Sequence, residues 1–160
     1  MSMDLDEFNA LPLEEAAASL LPCCGSPTWA RRVAESRPFR RLTEIQEKSD
    51  RIWQSLGGDD WREAFAAHPR IGERGSRWSE AEQAGARGAD AQTLAELIEA
   101  NRLYETRFDH IFIVCATGKT AEEMLGLLRG RLGNDPETEL RIAAEEQRKI
   151  TNLRLEKLFP

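Results

Sequence analysis

The stretch AQTLAELIEANRLYETRF, residues 91–108, shows the pattern that decides the fold class. Its apolar side chains recur at helical spacing, at Leu94, Leu97, Tyr104 and Phe108 among others. Residues spaced in this way lie on neighbouring positions of one helix face, so most of that face is apolar. The stretch therefore predicts one long helix.

Segments that begin like helices recur on both sides of this stretch. They share a capping residue or a proline at the expected first turn, and they start near Pro12, Pro27, Thr43, Asp59, Ser79, Thr120 and Pro136. The apolar run 111–116 has strand propensity, but the sequence offers it no partner strand, so we expect it to be buried and extended. The sequence predicts an all-α fold, a compact helical bundle that forms a single domain over residues 1–160.

Composition and charge exclude several function classes. The chain has 160 residues, a net charge of −6 and three cysteines, and an acidic surface disfavours nucleic acid and anionic membranes as partners. A small anionic substrate would need a local arginine to overcome the repulsion from the negative net charge. No apolar run approaches the roughly 18 to 20 residues that span a bilayer, and no secretory signal or disulfide framework is recognisable, so we expect a cytoplasmic protein.

Several apparent motifs fail on spacing alone. Gly118-Lys119-Thr120 resembles the end of a phosphate-binding loop, but the first glycine of that motif would fall at Ile113. The patterns of elbow hydrolases, dinucleotide enzymes and zinc ribbons are absent from the sequence. The two histidines have no recognised metal-ligand spacing, so no metal site is expected. A cysteine within an apolar run, such as Cys115, behaves as a small hydrophobe rather than as a nucleophile.

The remaining candidates for chemistry are three short segments: HPRIGE at 68–73, SEAEQ at 79–83 and KITNLRL at 149–155. His68 ends a predicted helix because Pro69 follows it, and its ring is either an acid–base group or a partner of the terminal carbonyls. Ser79 and Glu82 have the spacing of a helix cap. Arg154 borders the apolar stripe of the last helix, where it snorkels, pairs with a carboxylate or binds an anion. Spacing alone leaves these alternatives open.

A further set of short motifs runs in order along nearly the whole chain: Phe8-Asn9, Leu11-Pro12, CCGS at 23–26 with Trp29, HPRIG at 68–72, Glu82-Gln83, the helix with Asn101, Tyr104 and Phe108, the segment 112–118, EML at 123–125, RLGND at 131–135, and Lys149-Ile150-Thr151 with Arg154-Leu155. In these motifs and their spacing the chain resembles the 2-oxo-4-hydroxy-4-carboxy-5-ureidoimidazoline (OHCU) decarboxylases of urate degradation. It departs from the family at Asp109, where glycine is common, and in a shorter segment between Gly72 and Ser79.

The resemblance implies a helical carboxy-lyase that converts OHCU to (S)-allantoin and carbon dioxide with no cofactor. It implies that His68 is the catalytic acid or base and that Glu82 is its carboxylate companion. The groups that the resemblance implies for substrate binding are Pro69, Ser79, Gln83, Phe112, Ile113, Val114, Cys115, Ala116 and Arg154. Part of the binding by 112–116 is expected to come from its backbone.

The resemblance also implies pathway neighbours, urate oxidase and hydroxyisourate hydrolase, which would supply the substrate. Homodimers are frequent in the family, and Trp29, Trp53 and Trp61 can serve an interface, although a core position is more usual for tryptophan. One alternative is a noncatalytic helical interaction module, which predicts an exposed apolar patch on a helix. Another keeps the fold and changes the substrate to a related small ureido or imidazoline acid.

Overall fold

A computed structural model of the chain describes residues 2–71, 77–86 and 88–160, and it describes 77–79 by their backbone only. Every regular element in these residues is helical. The helices are α1 (Leu5–Ala10), α2 (Leu13–Leu20), α3 (Pro27–Glu35), α4 (Leu42–Ser55), α5 (Gly58–Phe65), α6 (Arg77–Glu82), α7 (Ala91–Phe108), α8 (Ala121–Arg131) and α9 (Pro136–Leu158), with a 3₁₀ turn at Ala84–Ala86. The predicted all-α fold is confirmed. Within the described ranges, no helix is both long enough and apolar enough to cross a membrane.

Several helices begin where their capping residues predict. Ser26 Oγ accepts a hydrogen bond from the Trp29 backbone N–H at 3.1 Å, and Pro27 is the first residue of α3. Thr120 and Glu123 form a complete capping box at the start of α8. Each such cap satisfies a backbone donor that the helix cannot, which stabilises its first turn by about 1 kcal/mol.

Two predicted starts are wrong, because capping-box spacing also occurs inside a first turn. Helix α4 begins at Leu42 after Arg41, which makes no side-chain cap, so Thr43 lies within the helix. The Glu44 carboxylate accepts from the backbone N–H of Arg40, the residue before the N-cap Arg41, at 2.8 Å, so it binds the incoming chain without completing a capping box. Helix α6 likewise begins two residues before Ser79. The sequence analysis also missed α1, which starts at a complete Asp4–Glu7 capping box.

Contacts along the chain divide it into two units, Met1–Ala64 with Arg148–Pro160, and Phe65–Gln147. The prediction of a single domain over 1–160 stays a prediction. In the first unit, Phe8 and Phe159 stack edge to face with ring centroids 5.1 Å apart. The buried apolar side chains of this unit include Phe8, Leu20, Trp29, Val33, Ile45, Trp53, Leu155, Leu158 and Phe159.

Two of the three tryptophans of the first unit have core positions, and the third, Trp61, is half-buried. Trp29 is fully buried, and its indole N–H donates to Ser49 Oγ at 3.1 Å. Trp53 is also buried, and its backbone oxygen accepts from the Trp61 indole N–H at 3.0 Å. Large apolar side chains in such positions contribute about 2–3 kcal/mol each to folding through burial alone.

The second unit is built around α7 and α8. Its core comprises Ile71, Ala86, Leu97, Ala100, Tyr104, Phe108, Phe112, Val114, Ala116, Ala121, Met124, Leu125 and Leu128. Helix α7 has the predicted bounds and ends at Asp109, which has left-handed backbone angles, φ 60° and ψ 28°. Only glycine adopts these angles without steric cost, and aspartate tolerates them better than most residues. Asp109 therefore adopts a conformation that a glycine would adopt without strain.

The run 111–116 is extended without forming a strand, as predicted. Its residues from Phe112 to Ala116 are all buried. An extended segment in a helical core must find hydrogen-bond partners for its backbone among side chains, because no neighbouring strand supplies them. Those partners belong to the candidate functional site.

Candidate functional site

His68 lies directly after α5, in a turn where its backbone N–H donates to the Phe65 carbonyl at 3.1 Å. Pro69 follows and excludes helical angles at the histidine, so the chain leaves the helix here. The imidazole is half-buried, and its Nε2 lies 2.5 Å from Oε1 of Gln147 on α9. The histidine thus combines partial solvent access with a side-chain partner in the interior of the second unit.

Glu82 and Gln83 lie at the end of α6, where the chain turns into the 3₁₀ element. Glu82 is buried and Gln83 is half-buried. Two residues on, a Cβ at Gly85 would lie 1.9 Å from the Lys119 carbonyl oxygen, so only glycine fits at this approach of two backbones. The close contact fixes the turn after Glu82 against the loop that follows Ala116.

Side chains occupy several backbone groups of the 112–116 segment. The Cys115 N–H donates to the Glu146 carboxylate at 3.1 Å, and the Cys115 carbonyl accepts from Lys119 Nζ at 2.7 Å. The Ile113 carbonyl accepts from Arg131 Nη1 at 2.7 Å. These contacts satisfy the extended chain in place of a sheet, and they hold its position in the second unit.

Charges of both signs surround the Cys115 thiol. Burial raises the pKa of Cys115, and the negative charges of Glu146 and Glu82 raise it further against the opposing effect of Lys119. Glu82 and the 112–116 segment are therefore electrostatic neighbours. A thiol with a raised pKa is a poor nucleophile, which agrees with the sequence-based view of Cys115.

A buried ion pair holds this segment in position through Arg131. Glu139 is fully buried and accepts from Arg131 Nε at 2.6 Å, Tyr104 Oη at 2.6 Å and Asn134 Nδ2 at 3.0 Å. Burial, followed by the hydrogen bond to Glu139, raises the pKa of Tyr104. Because Arg131 also binds Ile113, the cluster couples α7, α8 and α9 to the extended chain. Glu139 is a residue that the sequence analysis did not single out.

Pro69 is half-buried, and the next residue, Arg70, binds Glu105 of α7 through a two-pronged contact with distances of 2.8 to 3.1 Å. This pair tethers the chain after His68. Beside it lies a groove of about 600 Å³, lined by Arg70, Ile71, Leu94, Leu97, Ile98, Asn101, Arg102, Glu105 and Thr106. None of the predicted site residues with a described side chain lines it.

Arg154 lies in the first unit, where it is buried on α9. Its Nη1 donates to the Pro22 carbonyl at 3.0 Å, and its positive charge acts on the nearby thiol of Cys24. Thr151, one turn earlier, hydrogen-bonds that same thiol. The guanidinium therefore contacts the 22–24 turn of this unit, in addition to any role in substrate binding.

The second unit brings together most of the predicted site. It contains His68, Pro69, Glu82, Gln83 and the segment 112–116. Ser79 lies in α6 by its backbone, but its side chain lies outside the described residues, as do Gly72 and Glu73. Among the residues described, no three His, Cys, Asp or Glu side chains come together as a metal site would require.

Sequence reasoning missed Glu146 and Gln147, the two residues that contact Cys115 and His68. A signal for Gln147 was present, because it follows Ala143 and precedes Ile150 and Arg154 at helical spacing on α9. A polar residue on the buried face of a helix needs a hydrogen-bond partner. That requirement predicts a hydrogen-bond partner for Gln147 but does not identify the partner.

The fold and the site define a class of small helical proteins with a half-buried histidine and a buried glutamate in one unit. Comparison with known proteins makes the class specific, because residues 9–156 match the family model of OHCU decarboxylase. The chain belongs to the OHCU decarboxylase family.

Individual relatives agree with this assignment. The chain is 43% identical over 146 residues to the uric acid degradation bifunctional protein TTL of Arabidopsis thaliana, covering 86% of this chain and 45% of that protein. It is 30% identical over 168 residues to the OHCU decarboxylase of Amia calva, covering 98% of this chain and 95% of that protein. A crystal structure of OHCU decarboxylase in the presence of (S)-allantoin is similar with a TM-score of 0.80 at 43% identity, covering 87% of this chain and 95% of that one. The chain thus spans less than half of the bifunctional relative.

Proposed function

We propose that this protein is a carboxy-lyase that decarboxylates OHCU to (S)-allantoin in urate degradation, with His68 as the general acid–base group. The observation that carries the proposal is the family match over residues 9–156. The structure adds a half-buried histidine whose ring is held by a buried amide, which is an arrangement suited to proton transfer.

The substrate itself explains why no cofactor is needed. Its carboxylate is attached to a carbon that also bears a hydroxyl group and lies next to a carbon–nitrogen double bond. When the bond to the carboxylate breaks, carbon dioxide leaves and the remaining electron pair moves into that conjugated system. The protein does not have to supply an electron sink, so its tasks are to anchor the anion and to move protons at defined atoms.

His68 suits the proton transfers. An ordinary imidazole titrates near pH 6.5, so it can take the proton of the substrate hydroxyl as the carbonyl forms and deliver one to the carbon that becomes the stereocentre. A proton delivered from one fixed position reaches one face of the ring, which gives a single enantiomer. We assign to Glu82 the electrostatic support of the protonated form of the histidine.

We assign substrate binding to Pro69, Ser79, Gln83 and the segment 112–116. Gln83 offers both a donor and an acceptor to a ureido or ring amide group. Because the N–H and carbonyl of Cys115 and the carbonyl of Ile113 already bind side chains, the contribution of this segment would come from its other backbone groups and from its apolar surface. The buried side chains would also exclude water from the reacting carbons.

We assign the substrate carboxylate to Arg154, because a guanidinium offers paired donors in a fixed plane. Arg154→Lys keeps the charge and removes the fork, and Arg154→Met removes both. We expect the KM to rise in the order wild type, lysine, methionine. Because Arg154 also binds the Pro22 carbonyl, urea unfolding of both variants must accompany the kinetics.

The finer assignments follow from the same family relationship. Urate oxidase and hydroxyisourate hydrolase would generate the substrate upstream, and the protein would work in the cytoplasm as a homodimer. Sedimentation at several protein concentrations tests the dimer. With Trp29 and Trp53 in the core, an interface would have to use other residues.

The test of the proposed function generates OHCU freshly from urate with the two upstream enzymes and follows product chirality by circular dichroism. Addition of this protein should produce (S)-allantoin rapidly. His68→Asn should lower kcat by roughly 10²- to 10⁴-fold, the usual contribution of general acid–base catalysis.

His110→Phe is the matched control, since its ring packs among Phe65, Tyr104 and Phe108. It should retain turnover. Slow racemic product with the wild-type protein would contradict the proposed reaction, and full activity in folded His68→Asn would contradict the role of the histidine.

A further inference from the structure

Gln147 is a fully buried amide in the middle of α9, and it contacts the histidine assigned to catalysis. It has 0% of its surface exposed, and its Oε1 lies 2.5 Å from His68 Nε2. The preceding residue, Glu146, binds the Cys115 N–H at 3.1 Å. Two consecutive side chains of one helix thus hold the histidine and the extended segment of the second unit.

The chemistry of this contact fixes the proton on the ring. An amide oxygen accepts hydrogen bonds and cannot donate them, so His68 Nε2 must carry a hydrogen. In a neutral imidazole only one nitrogen is protonated, which makes Nδ1 the basic nitrogen. Burial adds to the selectivity, because water does not replace a hydrogen bond that an interior amide loses.

We propose that Gln147 is a positioning residue that sets the tautomer and the ring orientation of His68, so that Nδ1 exchanges the proton with the substrate. The inference rests on the proposed function of His68. When Nδ1 accepts a proton, Nε2–H still donates to Gln147, so the same contact holds the ring through the whole cycle. A neutral acceptor does this without the full negative charge that would hold the imidazole in its protonated form.

A spectroscopic test measures the tautomer directly. The chain has only two histidines, so long-range ¹H–¹⁵N correlation spectra contain two ring systems, and His68→Asn assigns them. We expect the His68 ring of the wild-type protein to be protonated at Nε2 above its titration range. A ring protonated at Nδ1 would overturn the inference, and the tautomer itself is observed in the wild-type protein.

Kinetics of two substitutions test the consequence. Gln147→Leu removes the acceptor at similar volume and should lower kcat by roughly 10- to 100-fold, the usual cost of losing a group that orients a functional histidine, with little change in KM. The His68 ring should then show both tautomers. Gln147→Glu restores an acceptor oxygen and adds a negative charge, so it should recover the Nε2–H tautomer and move the pH profile of kcat to higher pH, which a merely structural role would not predict.

The control is Ser49→Ala, which removes a different buried hydrogen bond, that of the Trp29 indole in the first unit. It should lower the stability and leave kcat unchanged. Wild-type kcat in folded Gln147→Leu, together with loss of activity in His68→Asn, would overturn this inference alone. Retained activity in His68→Asn would overturn the proposed role of the histidine as well, so the two failures are distinguishable.

Discussion

Replacing Glu139 by glutamine isolates the contribution of the buried ion pair to the second unit. Glu139 has 0% exposure and Arg131 has 11% side-chain exposure, with Arg131 Nη2 at 2.6 Å from Glu139 Oε1. The substitution keeps the shape and removes the charge, which leaves the arginine cation in the interior without its counter-charge. Breaking a buried pair in this way typically costs about 3–5 kcal/mol.

The matched control lies two residues earlier on the same helix. Glu137 pairs with Arg141 at 2.7 Å, but the two side chains are 75% and 72% exposed. Solvent screens such a pair, so Glu137→Gln should cost less than about 1 kcal/mol. The comparison holds the substitution and the helix constant and changes only the burial.

Urea unfolding followed by circular dichroism measures both variants, with thermal unfolding as a second probe. For a chain of this size each kcal/mol corresponds to about 2–4 °C, so the melting temperature of Glu139→Gln should fall by roughly 6–20 °C. Equal effects of Glu139→Gln and Glu137→Gln would refute the reasoning. The double variant Arg131→Met, Glu139→Leu removes both charges and should therefore be more stable than the sum of the two single substitutions predicts. A double variant that loses as much stability as the two single substitutions added together would also refute the reasoning.

Two further predictions concern the end of α7 and the turn before α3. Asp109→Gly should raise the free energy of unfolding by about 0.5–1 kcal/mol, because glycine adopts the left-handed angles of this residue without strain. Asp109→Ala should not raise it, and urea unfolding of both variants measures the two changes. Burial raises the pKa of Cys24 from its ordinary value of 9.0 to about 12. The folded protein therefore keeps this proton after the unfolded chain has lost it, and the stability should be constant below pH 9 and fall as the pH rises toward 12. A pKa difference of three corresponds to about 4 kcal/mol. Cys24→Ala should remove this part of the pH dependence and leave the smaller part that the raised pKa values of Cys115 and Tyr104 contribute.

Local signals predicted the helices whose ends are fixed by their own residues. The bounds of α7 follow from apolar spacing, although its Asp90 cap was not predicted, and α8 follows from Thr120 and Glu123. Ser79 failed as a predicted start because an interior serine followed by glutamate has the same spacing as a cap. Which of two such positions begins the helix depends on the chain before it, and a local pattern does not contain that information.

Several motifs that carried the family resemblance have structural roles that spacing could not reveal. The Asn9 side chain donates to the Phe39 carbonyl at 2.7 Å and accepts from its N–H at 2.9 Å, so this amide binds the backbone of a residue 30 positions further along the chain. The RLGND motif supplies Arg131 and Asn134 to the Glu139 cluster. A pattern read along the chain identifies such residues as distinctive, but their partners are set by tertiary contacts.

The buried face of α9 shows how far the sequence can lead to the site. Glu139, Gln147, Thr151 and Arg154 are polar and nearly fully buried on a helix whose apolar residues follow the same spacing. Each of them must have a partner, because an unsatisfied polar group in the interior costs more than burial of its carbon atoms returns.

The partners of these polar residues differ in burial, and we use that difference to distinguish a structural contact from one proposed to act in catalysis. Glu139 binds groups that are themselves buried, which is the arrangement of a structural cluster. Gln147 binds His68, whose ring is only half-buried and so stays open to a small molecule. A buried acceptor that holds a partly exposed imidazole contributes little to the core, and its physical consequence is a ring with one tautomer and one orientation. On this reasoning the contact between Gln147 and His68 supports the proposed role of His68 in the chemistry of the site.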